Sequence, residues 1–298
     1  MARRSNSTAV AGAVLGLLLA GSLPANAVVE RSSLLPLTTE QADTLGSGLS
    51  EVSFGLRYAD NERFPFFTEP GALRSQTKLE LPTMGFRIGA GDFVEIQADY
   101  ELIYLDETAA NGKTNWQYGS GDAQLHTKVR VKREDDLWPA LAVRFGTKLP
   151  DANRSDRLGT DDADFDISAL GSKDLGPLSV HMNLGLLLLG NSGPFFNPNS
   201  FKAGGQDDIF TYRVAAVSAP FGEPSPEAAH LLLMAEATGQ GGTHYFNDRH
   251  SIRLGAQISR GAGAIYLGTS FGLVTASENV GVIAGFIYNF DPSKWFEE

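Results

Sequence analysis

The chain has 298 residues, of which 24 are basic and 35 acidic, so its formal net charge at pH 7 is −11. An acidic chain repels phosphate backbones, and this argues against nucleic acid as a partner. Because there is no cysteine, a disulfide framework, a thiolate metal site and a lipid-modified N-terminal cysteine are all excluded.

The N-terminus has the pattern of a secretory signal peptide. Arg3 and Arg4 precede an apolar run over residues 9–20, and small residues at positions 25–27 offer a cleavage site. A retained anchor helix is the alternative, but the apolar run is short for a membrane span. We therefore predict that residues 1–27 are removed and that the mature protein is exported.

Residues 28–48 show no strong periodicity and contain Pro36 and a polar patch at residues 38–41. Two interpretations stay open for this segment. It is either a periplasmic leader ahead of the first strand or a small plug that enters the folded domain.

From residue 49 onward the chain repeatedly alternates apolar and polar residues, which predicts strands whose two faces meet different surroundings. The predicted strands cover residues 49–58, 73–81, 93–104, 122–132, 138–149, 163–171, 178–189, 209–218, 229–238, 250–259, 264–274 and 280–290.

The last predicted strand, VGVIAGFIYNF, is the clearest of them. Its length, when tilted, spans the hydrocarbon core of a membrane, and it ends on aromatic residues that favour a bilayer interface. The spacing of Gly285, Tyr288 and Phe290 resembles the C-terminal signal that outer-membrane barrels present to their assembly machinery. Residues 291–298 follow as a C-terminal tail.

Together the strands predict an all-β fold, a transmembrane antiparallel β-barrel of about 12 strands over residues 49–290. An even strand number puts both termini on the periplasmic side, and long connections alternate with short ones as in bacterial outer-membrane proteins. A soluble β-sandwich is the alternative, but these strands are long for one. The predicted location is the Gram-negative outer membrane, with lipid and lipopolysaccharide as surroundings.

The polar face of each strand should line the lumen. The predicted lumen-lining residues are Glu95, Asp99, Glu101, Lys128, Arg130, Lys132, Arg144, Lys148, Arg213 and Arg253. A charged constriction that sorts solutes and a ladder of ion pairs that fills a narrow interior are both consistent with this pattern. The last two strands differ, because their inward parity is nearly uncharged and rich in glycine.

Catalysis is not expected. The five histidines form no metal-ligand pair at helical or hairpin spacing. His250 and Ser251 are adjacent, so in a strand they point to opposite faces and cannot act together. We predict no catalytic residue, no metal and no cofactor.

Residues 119–128 read GSGDAQLHTK, and residues 139–142 (PALA), 145–150 (FGTKLP), 172–177 (SKDLGP) and 183–185 (NLG) follow them. This pattern resembles outer-membrane proteins of the "MetA-pathway of phenol degradation" type. The resemblance implies an outer-membrane barrel, sometimes called a transporter, that is associated with aromatic or hydrophobic compounds. It supplies no binding residues.

The function expected from the sequence is a channel or transporter-like barrel for small solutes, aromatic or hydrophobic compounds among them. Its selectivity would come from the lumen lining and from the loop at residues 190–208. A closed structural or surface-binding barrel is the alternative, and a lipid-acting barrel enzyme is less favoured.

Overall fold

The computed structural model describes residues 37–62, 73–109, 111–153, 156, 158–159, 162–190, 208–222, 228–241 and 248–295, with backbone only at 73–75 and 109. The predicted signal peptide, residues 28–36 of the following segment, the loop at 191–207 and the last three residues of the tail lie outside this part of the chain.

Strands account for nearly all the regular structure of the described residues. They are β1 (Ser50–Asp60), β2 (Leu73–Gly89), β3 (Val94–Ala109), β4 (Thr114–Ser120), β5 (Gln124–Lys132), β6 (Ala140–Lys148), β7 (Asp164–Asp174), β8 (Leu178–Leu188), β9 (Asp208–Ser218), β10 (His230–Gly241), β11 (Arg249–Arg260), β12 (Gly263–Gly272) and β13 (Val280–Phe290). A short 3-10 helix, Pro292–Trp295, follows the last strand.

The sheet closes on itself, because β1 pairs with both β2 and β13 and every pairing is antiparallel. β4 and β5 both pair with β3, one along each half of that strand. They therefore form a single barrel strand that is interrupted between Ser120 and Gln124. The result is a closed barrel of twelve strands, and the predicted fold class is confirmed.

β2 and β3 are longer than the sequence predicts, and β4 is an additional strand. β2 continues past residue 81 to Gly89, with a register shift between Glu80 and Thr83 that accommodates Pro82. Proline cannot donate to a ladder and usually ends a strand, but a bulge lets the pairing resume on its far side. β4 lies where the sequence predicts a loop. The loop is expected because the glycines at 119 and 121 are typical of a turn.

The seam between the first and last strands is regular, running from Ser50 opposite Phe290 to Asp60 opposite Val280 without a register shift. Both ends of the barrel sequence therefore lie at the same rim, which we call the terminal end. The connections at 90–93, 175–177 and 261–262 are short and lie at this end, and Gly261 adopts a positive φ of 56° in the tightest of them. The longer connections after β6 and β8 begin at the opposite rim, the loop end.

The outside of the barrel is apolar and the inside is polar. Phe54, Leu125 and Leu254 are among the exposed apolar side chains, whereas Glu95 and Gln97 are buried. Aromatic rings stand near both rims: Phe286, Tyr288 and Phe290 stack along β13 at the terminal end, and Tyr104 stacks on Trp116 towards the loop end. An apolar band between aromatic girdles is the surface that lipid covers in outer-membrane barrels.

Candidate functional site

The barrel interior contains residues 37–45, a stretch of chain shortly before β1. Thr38 donates from its backbone N and its Oγ1 to the Glu236 carboxylate at 2.9 and 2.8 Å. The backbone N of Ala42 donates to Ser172 Oγ at 2.9 Å. These residues therefore contact walls formed by β10 and β7, well inside the lumen, and we call residues 37–45 the lumen segment.

The composition of this segment matches its surroundings. Leu37 lies against the glycine-rich wall, where an added Cβ at Gly268 would come within 2.5 Å of Leu37 Cδ1. Ala42 is fully buried against Ala140, Ala142 and Leu170. Gly268, one of the inward glycines that the sequence shows on the last two strands, thus leaves room for this segment.

Glu40 lies at the centre of the lumen and is surrounded by positive charge. Its Oε1 is 3.3 Å from Arg87 Nη2 and 3.9 Å from Arg144 Nε, and its Oε2 is 3.5 Å from Lys128 Nζ. Gln97 Nε2 also donates to Oε2, at 3.0 Å. Both carboxylate oxygens are therefore engaged, as a buried ionised carboxylate requires.

Asn183 on β8 fixes the backbone of the same residue. Glu40 N donates to Asn183 Oδ1 at 2.7 Å, and Asn183 Nδ2 donates to the Glu40 carbonyl oxygen at 2.8 Å. One side-chain amide thus satisfies both backbone groups of Glu40, which otherwise would be buried without partners.

Each cation around Glu40 also has a carboxylate partner in the wall. The pairs are Arg87 with Glu51 at 3.5 Å, Lys128 with Glu95 at 3.1 Å, and Arg144 with Asp166 at 3.3 Å. Glu95 contacts the lumen segment as well, because its Oε2 accepts from Leu45 N at 2.8 Å.

Other predicted lumen residues also contact the lumen segment. Arg213 Nη1 donates to the Thr38 carbonyl at 3.1 Å, and Arg253 Nη1 donates to Thr38 Oγ1 at 2.5 Å. Arg130 Nη1 lies 3.4 Å from Asp43 Oδ1. The structure therefore brings Lys128, Arg130, Arg144, Arg213 and Arg253 together around one stretch of chain.

Three predicted lumen residues pair with other side chains of the wall instead of with that stretch. Lys148 pairs with Asp122 and Asp164 at 3.0 and 2.8 Å towards the loop end. Glu101 lies 3.7 Å from Lys78. Asp99 is 4.0 Å from His126 Nδ1.

Lys132 has different surroundings from the other predicted lumen residues. A register shift between Arg130 and Lys132 places it opposite Leu141, whose side chain is exposed on the outer face. Its Nζ pairs with Asp135 in the following turn at 2.8 Å and lies 5.7 Å from the centre of the Trp138 ring. One extra residue in a strand reverses which face the next side chain meets.

Sequence reasoning missed Arg87, Gln97 and Glu40. Arg87 follows Pro82, where the predicted strand stops, although the alternation of Phe86 and Ile88 with Arg87 continues the strand pattern. Gln97 alternates correctly but is uncharged. Glu40 belongs to a segment without periodicity. The only sequence signal for it is that it is the one carboxylate in the polar patch at residues 38–41.

A cavity of about 230 Å³ borders the lumen segment between Glu40 and the wall of β5 to β9. Its lining is mainly polar and includes Arg144, Asp166, Asn183 and Arg213. Towards the loop end, Ala152 and Leu158 of the loop at 149–163 pack on inward-facing Ile103 and Leu105 and form an apolar patch. The interior therefore offers a charged middle and one apolar patch nearer the loop end.

A second charged group lies at the loop end, where Glu62 bridges Arg57 and Arg249 at 2.6 and 2.7 Å. Burial alone raises the pKa of Glu62, but the positive charges of Arg57 and Arg249 outweigh burial and lower the pKa to about 2. Glu62 therefore stays ionised in the folded barrel at pH values where it is protonated in the unfolded chain.

We expect Glu62→Gln to lower the free energy of unfolding by about 2–3 kcal/mol at pH 7, since the folded pKa lies below the unfolded one. This contribution is complete above the ordinary carboxyl pKa of 4.5 and disappears as the pH falls to about 2. Urea unfolding of wild type and variant across this range measures it. A difference that does not change with pH would assign the loss to altered hydrogen bonding instead of charge.

The described residues contain no group of three or more His, Asp or Glu side chains that could hold a metal ion. In the same part of the chain, no helix is long and apolar enough to cross a membrane.

Comparison with known proteins rests on structure, because no family model matches this sequence and no curated protein matches it significantly. The crystal structure of the COG4313 outer membrane channel from Pseudomonas putida F1 has a TM-score of 0.61 at 12% identity, and the match covers 86% of this chain and 100% of that one. The chain folds as a bacterial outer-membrane β-barrel. The localisation predicted from the sequence is thereby confirmed.

The barrel also matches the translocator domain of the autotransporter NalP from Neisseria meningitidis, with a TM-score of 0.49, 14% identity, and coverage of 96% of this chain and 98% of that one. This second likeness is too distant to inform function. The resemblance to the phenol-degradation type stays a prediction from the sequence.

Proposed function

We propose that the barrel is an outer-membrane channel for small solutes and that the lumen segment closes it in the state described here. The observation that carries the proposal is the way this segment is held. The hydrogen bonds of Thr38, Glu40, Ala42 and Leu45 given above all use side chains of the wall, not the backbone of a strand. The segment can therefore leave without breaking a ladder hydrogen bond of the barrel.

The chemical character of the interior supports small amphipathic solutes. Charged side chains surround the middle of the lumen, and Ile103, Leu105 and Leu158 form an apolar patch nearer the loop end. Aromatic or hydrophobic compounds, which the sequence resemblance implies, would find apolar contacts at this patch beside the charged middle. Selectivity would then depend on the charges of the middle.

The proposal assigns no catalysis to the barrel. The side chains of His250 and Ser251 have separate partners: His250 Nδ1 lies 3.0 Å from the Tyr212 hydroxyl, whereas Ser251 Oγ donates to Glu278 at 3.1 Å. Recognition by the assembly machinery and contact with lipopolysaccharide stay predictions.

The charge of the lumen gives a direct test. In a variant that lacks residues 38–45, replacing Lys128, Arg130 and Arg144 together with Gln removes three positive charges from the opened path. We expect the reversal potential in a salt gradient to shift towards cation selectivity. Planar-bilayer recordings of the folded variant measure the shift. Glu134→Gln, in the turn after β5 at the terminal end, is the control for a charge change outside the lumen. Unchanged selectivity would place these residues outside the path. An absence of conductance and solute uptake, even after the lumen segment is removed, would favour a closed structural barrel.

A further inference from the structure

The surroundings of Glu40 form a carboxylate-binding site that is built by the barrel wall. Its donors come from four strands: Arg87 from β2, Gln97 from β3, Lys128 from β5 and Arg144 from β6. Arg87 and Arg144 face Oε1, while Gln97 and Lys128 face Oε2. Two donors for each oxygen is an arrangement that suits a planar group with two equivalent oxygens.

The carboxylate in this site does not belong to the wall. Glu40 is part of the lumen segment, and Asn183 fixes its backbone independently of its side chain. The site and its occupant are therefore separable parts of the molecule.

The donors around Glu40 use only part of their capacity on the wall. Arg87, Lys128 and Arg144 each have one wall carboxylate, as described above, and each also faces an oxygen of Glu40. When Glu40 leaves, these three cations and Gln97 each lose one acceptor. Another carboxylate in the same place would restore these contacts, because buried donors without acceptors are costly.

We propose that this site binds the carboxylate of the transported solute, and that Glu40 occupies it when the channel is closed. The inference rests on the proposed channel function and narrows its substrates to small organic carboxylates. The cavity of about 230 Å³ beside Glu40 gives room for the body of such a solute. Ile103, Leu105 and Leu158 offer apolar contacts further towards the loop end.

Chemical rescue tests the site without requiring conduction. Glu40→Ala empties the site but keeps the backbone clamp of Asn183. We expect sodium acetate to raise the unfolding temperature of this variant by about 2–4 °C more than sodium chloride does, because acetate binds only the folded barrel. Acetamide, which has the same shape without the charge, should have no such effect. The wild type should not respond, since Glu40 fills its site.

Two controls complete this experiment. Adding Arg87→Gln to Glu40→Ala should remove at least about half of the acetate effect, because one of its charged donors is lost. If Glu40→Ala does not fold, a variant that lacks residues 38–45 allows the same comparison. Equal effects of acetate and chloride, or of acetate and acetamide, would overturn the proposal.

A second experiment connects the site to transport. In the variant that lacks residues 38–45, we expect benzoate to block the ion current at a concentration at least about tenfold lower than benzamide, and Arg87→Gln to abolish this difference. Equal block by both compounds would show that the site does not act on permeating solutes. If no variant conducts but acetate still stabilises Glu40→Ala, the channel function fails and the carboxylate site alone remains.

Discussion

A variant that lacks residues 38–45 is expected to show a single-channel conductance at least about fivefold above that of the wild type, because the lumen of a twelve-strand barrel is wider than the packed interior of an eight-strand one. In the structure, Thr38, Glu40 and Ala42 fill this space and contact opposite walls. Their removal leaves the charged middle of the lumen hydrated. Planar-bilayer recordings at matched protein incorporation measure the change.

The control for this deletion is the fold itself. Heat-modifiability gels should show that the deleted variant still migrates as a folded barrel, since the seam between β1 and β13 begins only at Ser50. Asn183→Ala offers an intermediate case, because it removes the clamp on Glu40 but keeps the segment. Wild-type conductance in the deleted variant would mean that something other than the lumen segment limits the path.

The second large effect concerns stability. Lys128→Met should lower the free energy of unfolding by about 3 kcal/mol, because it leaves a buried carboxylate without its cation. Lys128 and Glu95 are only 3% and 2% exposed, and their charged atoms are 3.1 Å apart. Urea unfolding of the barrel in lipid vesicles gives the comparison.

A double variant separates the cost of the unpaired charge from the loss of packing. Lys128→Met combined with Glu95→Gln should recover most of the lost stability, since a neutral amide can keep the hydrogen bond from Leu45 N. With the single variant Glu95→Gln measured as well, the change in the double variant minus the sum of the two single changes is the coupling energy of the pair. If the double variant is no more stable than Lys128→Met, the loss comes from packing instead of charge.

The barrel could be predicted from the sequence because lipid and lumen impose opposite demands on alternate residues. β13 carries that alternation along its whole length, so its bounds and its faces follow from period two alone. The pattern weakens where the backbone is irregular. Pro82 hid the second half of β2, and the shift beyond Arg130 turned Lys132 away from the other basic residues.

The occupied site could not be predicted in the same way. Its donors lie on four strands, and which of them meet depends on the registers between those strands. The lumen segment has no period, because its side chains match a surface that exists only after the barrel has formed. A sequence can show that residues 28–48 contain a polar patch, but not which charges Glu40 meets.

The pairing of Asp43 with Arg130, beside that of Glu40 with Arg87, has a consequence for the response to voltage. Both carboxylates lie on the lumen segment and inside the barrel, so they lie within the electric field across the bilayer. Moving one elementary charge across the whole membrane is worth about 2.3 kcal/mol per 100 mV. If the segment leaves the barrel, these two charges move with it, and the open fraction of the channel then depends on both the size and the sign of the applied potential.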